Sequence, residues 1–135
     1  MRLRSLGRWA LSRAAELAVV CEQAAGRPIR IAVNESTLQF ALDDVAGVAL
    51  DAAESAGCAA TSLGIEITES LLLDDSAAVH GTLGRLRSGG LGVAIDDFGV
   101  GYAALHYFAR FPVDHLKIDP SFVSRKTSTP DCASR

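Results

Sequence analysis

An α/β fold built on a parallel sheet is predicted by three observations. Strand-like and helix-like patterns alternate four times along the 135 residues, with short connections. The strand-like runs are short and almost wholly apolar, as strands covered by helices should be. Polar residues recur at their C-terminal ends: Asn34, Glu66, the Asp96–Asp97 pair and Lys117.

The elements follow in order. Residues 6–25 carry Leu6, Trp9, Ala10, Leu17, Val20 and Cys21 at helical spacing, and Gly26-Arg27-Pro28 stops that helix. Trp9 and Phe40 are expected to be packing residues. Residues 29–33 read as a strand that terminates at Asn34, and 43–57 as a helix with aspartate at its start and Gly57 at its stop. Residues 63–68 form the second strand. Asp74, Asp75 and Ser76 open a helix that runs to about Arg87, where acidic groups suit the positive end of the helix dipole. The third strand is 91–95, a short helix covers 103–110 before Phe111-Pro112, and the fourth strand is 113–118.

An open doubly wound sheet and a barrel both satisfy this alternation. No glycine-rich phosphate loop follows the first strand, which weakens the former. Chemistry at the C-terminal ends of strands is the habit of the (β/α)₈ barrel, which typically takes about 250 residues. The expectation is a partial TIM-like barrel, about half of one, with four parallel strands in residues 1–123. Residues 124–135 have no periodicity and are expected to form a disordered tail.

Composition narrows the function classes. Hydrophobic residues make up 49% and charged residues 21%, which is globular. A net charge of −3 supplies no basic field for DNA. Cys21, Cys58 and Cys132 are an odd number without metal-ligand spacing, so a reduced, cytoplasmic chain is expected. Arg13 and Glu16 interrupt what would be the apolar core of a signal peptide, and an amphipathic helix fits the N-terminus better. No run approaches the roughly 20 apolar residues of a membrane span.

Adjacent carboxylates repel, and a divalent cation is the simplest reason to keep Asp96 beside Asp97. Hard cations such as Mg²⁺ or Mn²⁺ take oxygen ligands, which Glu66 and the Asn34 carbonyl extend. Helix capping or solvation accounts for any one of these residues alone; repetition at successive strand ends is the signal. Glu69 lies past the second strand and either caps the next helix or holds the loop after Asp97. Lys117 can orient a metal-activated water, stabilise a phosphate oxygen, or pair with Asp119 or Asp96. Neighbouring carboxylates raise a lysine pKa and disfavour a Schiff base. His80, His106 and His115 lack partners at ligand spacing and read as structural.

Taken together, these residues resemble a known family, the EAL domain of bacterial cyclic di-GMP phosphodiesterases. The likeness runs from about Leu6 to Val123, starting with Leu6-Gly-Arg-Trp-Ala-Leu11, which resembles the helix before the family's asparagine strand. Ile31-Ala-Val-Asn-Glu-Ser36 is similar to its Asn-x-Ser motif and Ile65-Glu-Ile-Thr-Glu-Ser70 to its Glu-x-Thr-Glu motif. Asp96-Asp-Phe-Gly-Val-Gly-Tyr102 resembles its Asp-Asp-Phe-Gly loop, and Leu116-Lys-Ile-Asp119 with Ser121-Phe-Val123 its Lys-Ile-Asp segment.

The resemblance implies a TIM-like barrel that hydrolyses cyclic di-GMP to linear pGpG with Mg²⁺ or Mn²⁺. It implies Asn34, Glu66 and Asp96 as metal ligands and Asp97 at a second metal. Lys117 would position or activate the attacking water, and Glu69 would anchor the loop from Phe98 to Ala104. The sequence also departs from the pattern. The namesake Glu-Ala-Leu strand and the motifs downstream of the Lys-Ile-Asp segment are not in this chain. Val100 stands where Thr is usual, Ala103 and Ala104 replace two serines, and Glu35 stands where an apolar residue is common. The chain by itself is therefore expected to be inactive and to self-associate through open strand edges. The alternatives are a non-catalytic module that binds cyclic di-GMP or a protein, and a non-functional fragment.

Overall fold

Strands satisfy their backbone groups only against neighbouring strands, so pairing order decides the architecture. The computed structural model describes residues 2–72, 76–98, 111 and 113–118, the side chains of Leu72, Asp97, Phe98 and Ile118 aside. In chain order the elements are α1 (Arg2–Ala25), β1 (Ile31–Asn34), α2 (Thr37–Leu42), α3 (Val45–Ala56), β2 (Leu63–Thr68), α4 (Glu69–Leu72), α5 (Ala77–Ser88), β3 (Gly92–Phe98) and β4 (His115–Ile118). A 3-10 turn at Ala60–Ser62 leads into β2.

The four strands are parallel and adjacent in the order β1-β2-β3-β4. Sequential order means that the winding never reverses within this sheet. Right-handed crossovers then put the described connecting helices on one face, the arrangement of a barrel arc rather than of a doubly wound sheet. Strand alternation divides the side chains accordingly. Leu63, Ile65, Ile67, Val93 and Ile95 are buried toward the helices, where they meet Leu11, Val79, Leu83 and Leu86. The other face carries Ala32, Asn34, Glu66, Ala94, His115 and Lys117, all small or polar.

Helix ends follow their caps. Ser36 and Gln39 form a reciprocal capping box on α2, with Ser36 Oγ accepting from the Gln39 amide at 3.1 Å and Gln39 Oε1 accepting from the Ser36 amide at 2.8 Å. Asp44 caps α3 by accepting from the Gly47 amide at 3.2 Å, and Gly57 ends it at φ 71°, where only glycine is unstrained. Ser76 caps α5 through the Val79 amide. Before β4, the Asp114 carboxylate accepts from the Val93 amide at 2.8 Å and from Arg87 at 3.0 Å, which fixes the entry of the last strand.

Several expectations change. The apolar stripe of α1 is not its buried face: Leu6, Trp9, Leu17 and Val20 are exposed, Trp9 at 62%. The buried set is Gly7, Leu11, Ala14, Ala15 and Ala18. This helix packs on the alanine face of α3 (Ala46, Ala49, Ala52, Ala53), and close approach of two helices excludes large side chains. Trp9 is thus not a core residue, whereas Phe40 does pack against the core. The helix expected over 43–57 begins at Val45, because Asp43 closes α2 and Asp44 opens α3. Strand β3 continues through the aspartate pair to Phe98. Asp74, Asp75, the helix expected at 103–110 and the tail 124–135 lie outside the described residues. Among the described residues no helix is long and apolar enough to cross a membrane.

Candidate functional site at the carboxyl ends of the strands

Parallel register brings the sequence-predicted residues to one end of the sheet. Asn34 is the register partner of Glu66, and Thr68 that of Asp96. Adjacent strands lie about 4.8 Å apart and side chains two apart on a strand share a face. Asn34, Glu66 and Asp96 therefore line the same face on three successive strands. The pairing continues one residue further through Glu35 N–H donating to Glu66 O at 2.9 Å, which holds the two strand ends together.

Lys117 joins them from β4. Its Nζ lies 2.7 Å from Glu66 Oε2, reaching across β3 where Ala94 leaves room. The Lys117 side chain is half exposed and the Glu66 side chain is largely buried, at 13%. Lys117 thus meets Glu66, and Asp119 lies outside the described residues. Glu66, Asp96 and the Asn34 carbonyl are hard oxygen donors, a set whose chemistry fits a divalent cation such as Mg²⁺ or Mn²⁺. Among the described residues no group of three His, Cys, Asp or Glu side chains is drawn close enough to hold a metal.

Asp97 follows Asp96 directly, and strict alternation would turn it to the opposite face. The β3–β4 register shifts between Ile95 and Phe98, an irregularity centred on this pair. A bulge is the standard backbone device for re-aiming a side chain. The Asp97 side chain and the loop after it lie outside the described residues. Glu69 opens α4 and is buried at 6% exposure. The loop it is expected to anchor falls outside the described residues.

Two residues at or near this face escaped sequence reasoning, and a third stood out only as a departure from the family pattern. Arg30 crosses the inner face to His115, a residue that reads as structural in the sequence. Glu35 is buried, and desolvation, with the nearby Asp43 charge second, pushes its carboxyl up to about 7. Its replacement of an apolar residue was the available signal. Arg30, one position before β1, carried no signal at all. His80 stacks on Phe111 with ring centroids 4.5 Å apart.

Residues 2–132 match the EAL domain family. The cyclic di-GMP phosphodiesterase PA2567 of Pseudomonas aeruginosa is 34% identical over 133 residues, covering 98% of this chain and 22% of the relative. The PaMucR phosphodiesterase in complex with c-di-GMP superposes with a TM-score of 0.80 at 33% identity, covering 96% of this chain and 53% of that one. Klebsiella pneumoniae BlrP1 with manganese and cyclic di-GMP superposes at 0.78 and 26% identity, covering 97% of this chain and 33% of that one. The chain spans about half or less of the length of each of these three proteins.

Proposed function

The chain belongs to the EAL domain family, and from that premise we propose that it carries part of a metal-dependent site for hydrolysing cyclic di-GMP to pGpG. The observation that supports this most is the meeting of Asn34, Glu66, Asp96 and Lys117 at one end and on one face of a parallel sheet. Glu66 and Asp96 would hold Mg²⁺ or Mn²⁺ through carboxylate oxygens, Asn34 through its carbonyl, with Asp97 serving a second ion. A bound divalent cation supplies an acidified water and neutralises phosphate charge. Lys117 would orient the attacking water or steady a phosphate oxygen. Glu69, buried at the start of α4, would anchor the loop from Phe98 to Ala104. The free thiols Cys21 and Cys58 fit a cytoplasmic setting.

Donors from the rest of the domain complete such a site, so the 135 residues alone are expected to leave cyclic di-GMP intact. Chromatography of a reaction with Mn²⁺ checks this, and pGpG formed by the purified chain would overturn it. In a polypeptide extended to full domain length, Glu66→Gln or Asp96→Asn should lower turnover by roughly a hundredfold or more. Full activity in either variant would remove that residue from the site.

The Lys117–Glu66 pair also favours a second reading, a module that binds the dinucleotide without cleaving it, because the ammonium competes with a cation for that carboxylate. Equilibrium dialysis of cyclic di-GMP with and without Mn²⁺ separates the two: metal-independent binding without hydrolysis supports the module.

A further inference from the structure

The amino ends of the strands, opposite the carboxylate rim, carry a second polar constellation. Arg30 precedes β1 and lies across the inner face. Its Nε donates to Thr61 O at 3.0 Å, and its Nη1 lies 3.5 Å from His115 Nε2 on β4. Two glycines make room for it. A Cβ on Gly92 would collide with the Arg30 guanidinium, and one on Gly64 would touch its Cδ at 3.5 Å. The guanidinium is thus held in place by its Thr61 bond and by the missing side chain beneath it.

Around this group lies a cleft of about 140 Å³, floored by Ala32, Gly64, Gly92 and Ala94. Liquid water takes about 30 Å³ per molecule, so the cleft has room for a small anion with some hydration. The charge balance there is one-sided. Arg4 and Arg8 pair with Asp43, Arg85 with Asp44 and Arg87 with Asp114. Among the described residues neither Arg30 nor His115 has a carboxylate partner, and Glu66, the acid lining the same cleft, is engaged by Lys117.

We propose that Arg30 and His115 form an oxyanion site for a phosphate group at the amino end of the inner face, in a cleft whose other end is lined by Glu66 and Lys117. The planar fork of Arg30 keeps Nη donors available after its Nε is spent on Thr61, and a fork suits the paired oxygens of phosphate. His115 adds a ring nitrogen from the far strand. Such an anion bridges β1 and β4, the first and last strands of the sheet.

Titration of the intact chain with inorganic phosphate, followed by NMR signals of the His115 ring and the Arg30 side chain, tests the site. Both should move saturably and together. Arg30→Gln should weaken binding roughly tenfold or more, the loss of a charge-assisted bond. Arg30→Lys keeps the charge and loses the fork, and Gly92→Ala keeps the arginine and displaces it; both should weaken binding while the amide spectrum stays folded. A parallel titration with GMP identifies the source: competition with phosphate assigns the site to a nucleotide's phosphate group, and its absence to the free anion. No saturable shift, or unchanged affinity in Arg30→Lys and Gly92→Ala, would overturn the site.

Discussion

Glu35 couples a single substitution to the stability of the whole chain. It is 4% exposed and its Oε1 has no hydrogen-bond partner among the described residues. Burial pushes its carboxyl from an ordinary 4.5 to about 7. The folded state therefore keeps a proton that the unfolded chain gives up near pH 4.5. Its favourable contribution is complete below that value and is lost as pH rises to about 7. A rise of that size corresponds to a cost on the order of 3 kcal/mol at alkaline pH. The opposite trend from Asp43 and Asp44, lowered chiefly by their hydrogen bonds to Arg8 and Arg85, falls at more acid pH and does not overlap this window. Urea unfolding at pH 5 and pH 8 should find the chain less stable at pH 8, and Glu35→Leu should erase that step. Equal pH dependence in the variant would show that the carboxyl is not the cause. The sequence flagged Glu35 as out of place, but charge in a core is visible only once the neighbours are known.

Among elements, the α2–α3 junction shows how two adjacent aspartates divide their work. Asp43 receives Arg8 on two oxygens at 2.8 Å each, and so ties α1 to the end of α2. Asp44 caps α3 and accepts from Arg85 at 3.0 Å, which links α3 to α5. Asp44→Ala should destabilise the chain by about 1–2 kcal/mol, mostly through the cap, since the ion pair is exposed. Urea unfolding measures it, and a change within experimental error would mean that α3 starts elsewhere. The pair reads in sequence as one helix start, because nothing local separates a C-cap from an N-cap one residue apart. Strand β2 was legible to the residue, being bounded by Ser62 and Glu69 and alternating strictly. The buried face of α1 was not. Gly7, Leu11, Ala14, Ala15 and Ala18 do recur at helical spacing, but the larger residues opposite draw a reading based on hydrophobic size.

At the scale of the molecule, the described sheet has its helices on one side and a small, polar face on the other, with no strand among the described residues beyond β1 or β4. Unpaired strand edges and the exposed Leu6, Trp9, Leu17 and Val20 on α1 invite association. The isolated chain should sediment as a mixture whose mean mass rises with concentration, and a monomer at every concentration would refute this. Sequence alone determined the alternation of strand and helix, the strand ends on which Asn34, Glu66, Asp96 and Lys117 stand, and the family those motifs mark. All of these are local, written in periodicity and in residues a few positions apart. Tertiary structure alone decided which face of α1 is buried, that Lys117 meets Glu66 across an intervening strand, that Glu35 loses its water, and that Arg30 spans the sheet to His115. Each of these depends on the distance between residues far apart in the chain, which pairing register and close packing set and no local pattern encodes.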